Sequence, residues 1–238
     1  MDGSTPLPLR LASYNIRAGL GSDLRRDPLR VLDAIAALEA DLVALQEADH
    51  RTGRRRAALP ADRIEEHTGL RPLPVAENGI SLGWHGIALL ARPGLEPRAV
   101  HRYPLPGLEP RGAVAVDLPG LRVVGVHLGL LRRSRRQQLD HIRTALQALE
   151  PLPTVILGDF NEWSRKSGLG RLARHYRLLT PGGTFPARMP LAPLDRVAHC
   201  DRLQVRMLDL PRAAKGPHPS DHLPILAEVH AARAAQVP

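Results

Sequence analysis

The stretch Thr154-Val-Ile-Leu-Gly-Asp159-Phe-Asn161 sets an apolar run directly before an acid and an amide. A short run rich in β-branched and aliphatic residues predicts a buried strand over 154–158. A polar side chain at the end of such a strand emerges from the core on a rigid mount. Asp159 and Asn161 are therefore the first candidates for a functional site.

Similar apolar runs recur along the chain, and several of them also lead into an acid, an amide or an imidazole. We predict strands over 11–15, 41–46, 86–91, 112–117, 121–127, 154–158 and 224–229. Asn15 ends the first run, Glu47 follows the second, His127 ends the fifth, and Asp221-His222 precedes the last. Each residue alone has a simpler explanation, since strand-end Asp and Asn form turns and a lone histidine is more often structural. Together they favour a site.

Two helices are predicted between these strands. Asp27-Pro28, as N-cap and first helical residue, precedes apolar positions at helical spacing and predicts a helix. A second helix is predicted from Ser134, where Gln137 completes a capping box, to the residue before Pro151. Weaker helical spacing covers 169–175. This order of elements predicts a mixed β-sheet architecture with helices outside.

The size and composition of the chain limit the classes of protein it can form. Its 238 residues, 43% of them hydrophobic, suit one domain spanning 1–238. The sequence contains no apolar run long enough for a signal peptide or a transmembrane segment, so we expect a cytoplasmic protein. The single cysteine, Cys200, excludes an internal disulfide and a metal site built from cysteines alone. No feature of the sequence indicates an obligate protein partner.

The charge of the chain favours an anionic partner. A formal charge of +9 and a pI near 10.9 are typical of proteins that bind nucleic acid, acidic membranes or phosphorylated substrates. Only Lys166 and Lys215 among the 33 basic residues are lysine, so a coding bias toward arginine is an alternative explanation. Two arginine clusters follow Glu47 and His127 by a few residues, and we predict that both lie on loops at the rim of the site, although a solvated charge run is the alternative. They comprise Arg51, Arg54, Arg55 and Arg56, and Arg132, Arg133, Arg135 and Arg136.

The residue types indicate the chemistry of the site. Carboxylate and amide oxygens in this number suit Mg²⁺ or Mn²⁺, whereas a zinc site usually contains more His or Cys. A phosphodiester gathers negative charge on its way to a five-coordinate transition state, so cations neutralise that charge while a base prepares the attacking water. Like-charged carboxylates in one cleft are costly without a cation, which argues against a non-catalytic module.

Taken in order, the motifs resemble those of the endonuclease/exonuclease/phosphatase superfamily, and further stretches resemble a compact bacterial subgroup of it. The resemblance covers nearly the whole chain and implies an α/β (α+β) fold of four layers, in which two packed mixed β-sheets are flanked by helices. The site would lie at one end of this sandwich. The motifs are Ser13-Tyr-Asn15-Ile, Asp41-Leu-Val-Ala-Leu-Gln-Glu47, Val126-His127-Leu, Gly158-Asp159-Phe-Asn161, Leu194-Asp195 and Ser220-Asp221-His222.

The candidate site residues divide into metal ligands, catalytic residues and substrate-binding residues. The resemblance implies the first two groups, with His222 as base, Asp195 orienting its ring and His127 facing the phosphate. Two departures from the family pattern are Arg196, where an aromatic residue often follows the Asp, and His127, where nucleases acting on damaged DNA often have Tyr. The metal ligands are Glu47, Asn15 and Asp221. The catalytic residues are His222, Asp195, Asp159, Asn161 and His127. The substrate-binding residues are Arg111, Arg54, Arg55, Arg132 and Arg133.

The sequence therefore predicts a phosphoesterase that depends on Mg²⁺ or Mn²⁺ and hydrolyses a phosphodiester by in-line attack of an activated water. Nucleic acid is one candidate substrate, although two Trp, three Tyr and two Phe are few for a groove that stacks single strands. A phosphomonoesterase and a lipid-headgroup phosphodiesterase are the alternatives within this chemistry. A non-catalytic basic module that binds nucleic acid or acts as a scaffold is the alternative of another class.

Overall fold

The computed structural model describes residues 5, 7–164, 167–210 and 216–232. Within this part of the chain there are twelve strands and four α-helices, with a 3-10 turn at Arg17–Gly19. The strands are β1 (Leu9–Asn15), β2 (Leu42–Gln46), β3 (Arg71–Pro72), β4 (Ala88–Ala91), β5 (Ala99–Leu105), β6 (Arg111–Leu118), β7 (Leu121–His127), β8 (Thr154–Asp159), β9 (Arg177–Leu179), β10 (Asp195–His199), β11 (Leu203–Leu208) and β12 (Ile225–Ala231). The helices are α1 (Pro28–Ala36), α2 (Ala61–Thr68), α3 (Arg132–Gln147) and α4 (Gly170–Ala173).

The strands form two six-stranded sheets with the same pattern of directions. The first sheet has the order β11-β12-β1-β2-β4-β3 and the second has the order β5-β6-β7-β8-β10-β9. In each sheet one central pair is parallel, β1 with β2 and β7 with β8, and the other pairings are antiparallel. A parallel pair needs a crossover connection, which α1 and α3 supply.

Three apolar clusters hold the layers together. The largest lies between the two sheets and contains Ala44 and Leu89 of the first sheet with Val114, Val123 and Leu157 of the second. A second cluster packs the buried face of α1 on the first sheet, and a third packs α3 and α4 on the second. The layers are therefore helices, sheet, sheet and helices, which confirms the predicted fold class.

The start of α1 agrees with the prediction. The carboxylate of Asp27 accepts a hydrogen bond from the backbone N of Arg30 at 3.1 Å, and Pro28 occupies the first helical position. Replacing such a cap by Ala typically costs about 1 kcal/mol. The buried side chains Val31, Leu32 and Ile35 lie on the predicted apolar face.

Other local predictions are wrong. The helix α3 begins at Arg132 rather than after Ser134, and its N-cap Leu131 makes no side-chain capping bond, so Ser134 and Gln137 form no capping box. The predicted helix over 169–175 is reduced to the four residues of α4. The sequence patterns also missed α2 and the strands β3, β5, β9, β10 and β11. These strands are short, lie at sheet edges or carry several charged residues, so they lack the apolar run that marked the others.

No helix in the ranges described is both long and apolar enough to cross a membrane.

Candidate active site

The site lies where strands of both sheets end together. In the second sheet the ladder pairs His127 with Asp159 and Asp159 with Asp195, which puts these three residues side by side. In the first sheet Asn15 is paired with Gln46, the residue before Glu47. The Nδ2 of Asn15 donates to Oδ2 of Asp159 at 3.0 Å and joins the two sheets. The structure thus brings together residues that the sequence placed at separate strand ends.

His222 is held by Asp195. The Nδ1 of His222 lies 2.9 Å from Oδ2 of Asp195, and both side chains are buried. Burial alone would lower the pKa of His222, but the charges of Asp195, Asp159 and Asp221 and the hydrogen bond to Asp195 raise it to about 9. The Nε2 of His222 lies 3.8 Å from Oδ2 of Asp159, which is too far for a hydrogen bond. Among the residues that the structure describes, Nε2 of His222 therefore has no hydrogen-bond partner.

The surroundings of Asp159 disfavour the ionised form of its carboxyl group. Burial and the neighbouring Asp195 raise its pKa to about 7, although His222 and hydrogen bonds from Asn161 and Asn15 act in the opposite direction. The backbone N of Asn161 donates to Oδ1 of Asp159 at 2.8 Å, and the Asn161 side chain donates to the carbonyl of Leu128 at 2.8 Å. The backbone at Asn161 has φ of 49°, a value that Asn tolerates better than most residues. These bonds fix the turn that follows β8.

His127 faces an arginine. The Nη1 of Arg111 lies 2.8 Å from Nε2 and 3.0 Å from Nδ1 of the His127 ring, and Arg111 itself donates to Oε2 of Glu109 at 2.7 and 3.0 Å. Burial, followed by the charges of Arg111, His222 and Arg51, holds the pKa of His127 well below its ordinary value. His127 is therefore a neutral imidazole beside a fixed positive charge.

Glu47 and Asp221 each face an arginine at the mouth of the site. Arg51 donates to Oε1 of Glu47, and Nε of Arg17 lies 3.2 Å from Oδ2 of Asp221. The hydroxyl of Ser220 donates to the carbonyl of Asn15 at 2.6 Å and so anchors the Asp221-His222 segment to the end of β1. In the described part of the chain no three His, Cys, Asp or Glu side chains are grouped so that they could hold a metal ion.

A pocket of about 180 Å³ opens beside His127. Arg111 and Arg55 line it, as do Glu47 and Arg51. We call it the active-site pocket; its remaining lining residues are Asp49, His50, His85, Gly86, Glu109 and Pro110.

The two arginine clusters differ from the prediction in three respects. Arg54 lines a separate pocket rather than the active-site pocket. Arg132 and Arg133 are exposed in the first turn of α3, not on a loop, and line neither of these pockets. Arg135 is not a rim cation at all, because it is buried and donates to Oε2 of Glu162 at 3.0 Å. Sequence cannot separate a buried arginine from an exposed one inside the same cluster.

Several site residues had no predicted role. Arg17 contacts Asp221, and Glu109 holds Arg111. The hydroxyl of Thr184 accepts from the backbone N of Asp195 at 3.3 Å, and the ring of Phe185 lies 5.0 Å from that of His222. Nothing in the local sequence around these residues indicates which neighbour each of them contacts.

This fold and this array of strand-end carboxylates and histidines define a class. The chain belongs to the endonuclease/exonuclease/phosphatase family, whose model matches residues 12–222. Members of this family are hydrolases that act on phosphate esters and generally depend on divalent metal ions.

The curated relatives match only part of the chain. The uncharacterized protein YbhP of Escherichia coli (strain K12) is 34% identical over 119 residues, which cover 45% of this chain and 46% of that protein. The match therefore spans less than half the length of that relative.

Solved structures share the fold at lower identity. A functionally unknown conserved protein from Enterococcus faecalis V583 has a TM-score of 0.72 at 21% identity, covering 94% of this chain and 100% of that one. The human Nocturnin catalytic domain, with bound sulfate anion, has a TM-score of 0.68 at 20% identity, covering 98% and 96%. The mannosyl-6-phosphatase Bt3783 of Bacteroides thetaiotaomicron VPI-5482 has a TM-score of 0.69 at 18% identity, covering 93% and 99%.

Proposed function

We propose that this protein hydrolyses a phosphodiester in a reaction that requires Mg²⁺ or Mn²⁺, with His222 as the general base. The observation that carries the proposal is the Asp195–His222 pair, whose free Nε2 points toward Asp159 at 3.8 Å. A base held by a carboxylate on one nitrogen and uncommitted on the other is the arrangement that water activation needs.

The side chains of Glu47, Asn15 and Asp221 would hold the cation. All three offer oxygen donors, which suit Mg²⁺ and Mn²⁺. The pKa of Asp159 is raised chiefly by burial and then by the charge of Asp195, and a nearby cation would stabilise the ionised carboxylate. Arg51 and Arg17 would have to leave Glu47 and Asp221 for the cation to bind. When bound, the cation would neutralise charge that develops on the phosphoryl oxygens.

Proton transfer would use the residues around His222. A pKa of about 9 keeps His222 protonated near neutral pH, so it can accept a proton only when positive charge nearby lowers that value. Asp195 would fix the ring so that Nε2 receives the proton of the attacking water, and it would stabilise the imidazolium that results. Asp159 and Asn161 would orient that water.

The phosphate would be bound on the other side of the site. Arg111, held by Glu109, would donate to a non-bridging oxygen, and the neutral ring of His127 would orient Arg111 or share that contact. Arg55 lines the same pocket and would add positive charge, while Arg54, Arg132 and Arg133 would attract anionic substrates over a longer range.

The fold alone does not select the substrate. Structures with this fold include Bt3783, a mannosyl-6-phosphatase, ANGEL2, a 2′,3′-cyclic phosphatase, and Danio rerio TDP2 in complex with single-strand DNA product. We favour a phosphodiester over a monoester because His127 is neutral and Glu109 offsets the charge of Arg111, which makes this side of the pocket less cationic than a dianionic monoester would require.

A substrate panel with and without metal tests this function. We expect turnover of bis-p-nitrophenyl phosphate with Mg²⁺ or Mn²⁺, weaker turnover of p-nitrophenyl phosphate, and loss of both with EDTA. Plasmid DNA, RNA and phospholipids complete the panel. Turnover that is unchanged by EDTA would contradict the proposal.

The Glu47→Gln variant tests the metal assignment. The amide keeps the shape of the side chain but removes the charge that holds a hard cation, so we expect a metal affinity lower by at least about tenfold. Calorimetric titration with Mn²⁺ measures this without turnover. Glu39→Gln is the matched control, since Glu39 is exposed and pairs only with Arg10 across the surface. Equal affinities in both variants would remove Glu47 from the metal site.

A further inference from the structure

The loop that follows Glu47 is closed at its base by hydrogen bonds and has two faces. Asp49 and Ala57 form an antiparallel bridge, and the backbone N of His50 donates to the carbonyl of Arg56 at 2.9 Å. The buried carboxylate of Asp49 accepts from the backbone N of Leu82 at 2.7 Å and ties the base of the loop to the next segment. We call residues 50–56 the arginine loop.

Side chains of the arginine loop point into two different pockets. Arg51 and Arg55 line the active-site pocket, whereas Arg54 and Arg56 line a second, open pocket of about 470 Å³. His50 lines both, so the two pockets adjoin. One loop therefore supplies positive charge to two neighbouring spaces.

The second pocket differs from the first in charge. The active-site pocket contains carboxylates, among them Glu47 and Glu109. The second pocket is lined by His50, Thr52, Gly53, Arg54 and Arg56, and so by cationic, titratable or neutral groups without a carboxylate.

The two arginines of the second pocket, Arg54 and Arg56, have exposed side chains. Within the residues described, the side chains of Arg54 and Arg56 make no hydrogen bond and no ion pair, whereas Arg51 pairs with Glu47 and Arg71 with Glu65. Two like charges on one short loop repel each other, and no nearby acid relieves this in the pocket. Positive charge that the protein leaves uncompensated in a concave space is suited to an anionic ligand.

We propose that the second pocket is a subsite for a second phosphate group of the substrate. This inference rests on the proposed function, because it places the scissile phosphate ester in the active-site pocket and the second phosphate beyond His50. The substrate class is a phosphate ester that carries another phosphate on the same molecule. Arg54 and Arg56 bind that phosphate through charge-assisted hydrogen bonds, and His50 lies between the two sites.

Binding of matched ligands with one or two phosphates tests the subsite. The ligands are the dinucleotides d(TpT) and 5′-phosphorylated d(pTpT), titrated calorimetrically into the His222→Ala protein with Mg²⁺ so that turnover is suppressed. We expect d(pTpT) to bind at least about tenfold more tightly, as charge-assisted contacts to one phosphate allow. Glucose 1-phosphate and glucose 1,6-bisphosphate form a second pair, which shows whether a sugar in place of a nucleotide also gains from the second phosphate.

The variant Arg54→Ser/Arg56→Ser should abolish the preference for two phosphates, and it should lower the affinity for d(TpT) far less than the affinity for d(pTpT). Arg143→Ser/Arg202→Ser is the control with the same loss of charge, because Arg143 lies in the last turns of α3 and Arg202 follows the end of β10 that lies away from Asp195. A general charge effect would weaken binding equally in both double variants and would overturn the subsite.

Two further outcomes separate this inference from the proposed function. If wild-type protein hydrolyses bis-p-nitrophenyl phosphate but d(pTpT) and d(TpT) inhibit that reaction with equal constants, the subsite is wrong and the function stands. If the preference for two phosphates is found without hydrolysis of any ester in the panel, the subsite stands and the function is wrong.

Discussion

Two charged clusters lie at opposite ends of the second sheet, and each of them combines aspartate with histidine. At one end Arg122 donates to both carboxylate oxygens of Asp117 at 2.6 and 2.7 Å and to the carbonyl of Glu150 at 3.1 Å, while His101 lies 3.2 Å from Asp117. We call these residues the Arg122 cluster. Burial opposes the charge of Asp117, but Arg122 outweighs it, so the pKa of Asp117 is lowered.

The other end contains Asp159, Asp195 and His222, which we call the Asp159 cluster. Here the pKa of Asp159 is raised to about 7 by burial and by Asp195, and that of His222 is raised to about 9 despite burial. The Oδ1 of Asp195 is buried and has no hydrogen-bond partner among the residues described. In the Arg122 cluster the carboxylate is paired with an arginine, whereas in the Asp159 cluster two carboxylates share one histidine.

The difference teaches where function lies in this sheet. A buried carboxylate with a bidentate arginine is stabilised in the folded state and has little capacity to exchange protons. A buried carboxylate that competes with a second carboxylate for one histidine is poised to exchange a proton or to accept a cation. The arginine that pairs with Asp117 separates the two clusters, and their hydrogen bonds and pKa directions follow from it.

The largest expected effect comes from breaking the Arg122 cluster. Arg122→Met leaves the carboxylate of Asp117 without its main partner, and losing one member of a buried pair costs about 3 kcal/mol of unfolding free energy. Urea unfolding measures this. Arg206→Met is the control, because Arg206 pairs with Glu228 at the surface and should cost less than about 1 kcal/mol. The specific activity of folded Arg122→Met should equal that of wild type, and a large fall in kcat would show that the cluster also serves catalysis.

The next effect, on rate rather than stability, comes from the Asp159 cluster. His222→Ala should lower kcat by at least about 100-fold, because it removes the proposed base from the transition state. Asp195→Asn should act on the same step, so the double variant should be little slower than His222→Ala. His230→Ala, which removes a partly exposed histidine that contacts Glu228, is the control. A double variant slowed by the full product of the two single effects would show that His222 and Asp195 act independently.

The smallest expected effect is a dependence of folding stability on pH, which differs between the two clusters. A carboxyl with a raised pKa is favourable when protonated, so the folded state loses stability as pH rises from about 4 through 7. Asp159→Asn removes this penalty. With metal chelated, the unfolding free energy of Asp159→Asn relative to wild type should therefore rise between pH 5 and pH 8, on the order of 2 kcal/mol.

The stability that the Arg122 cluster contributes changes with pH in the opposite direction. The lowered pKa of Asp117 contributes stability above the unfolded value of this carboxyl, and that contribution is lost as pH falls through the folded pKa. If the difference in unfolding free energy between Asp159→Asn and wild type does not change with pH, the pKa of Asp159 is not raised in the folded protein.

The sequence predicted the parts of the fold whose signal is local. The seven apolar runs correspond to strands β1, β2, β4, β6, β7, β8 and β12, and Asp27-Pro28 begins α1 as expected. The packing of two sheets came from the resemblance of the motifs, because strand patterns alone do not show which strands pair. The family model and the solved structures confirm both the family and the fold class.

The contacts inside the site could not be read from the sequence. Asn15 and Asp159 are 144 residues apart, and only the docking of the two sheets brings them to 3.0 Å. The strand β10, Asp195-Arg-Val-Ala-His199, has charged ends that hide its buried middle. Arg135 looked like a surface cation but fills the core beside Glu162. In each case the contacting residue is distant in the chain, so no local sequence pattern predicts the contact.

The pairing of β1 has a consequence for the synthesis of the protein. The strand β1 lies between β2 and β12, so one of its edges has no partner until residues 225–231 have been made. The segment that carries His222 is anchored to β1 by Ser220, which is 205 residues after Asn15. At translation rates of about 5–20 residues per second, that interval is roughly 10 to 40 s. During it the edge of β1 is open to other nascent chains, and unpaired strand edges promote aggregation. A chain whose synthesis ends before β12 therefore keeps an unpaired edge on β1 and is prone to associate.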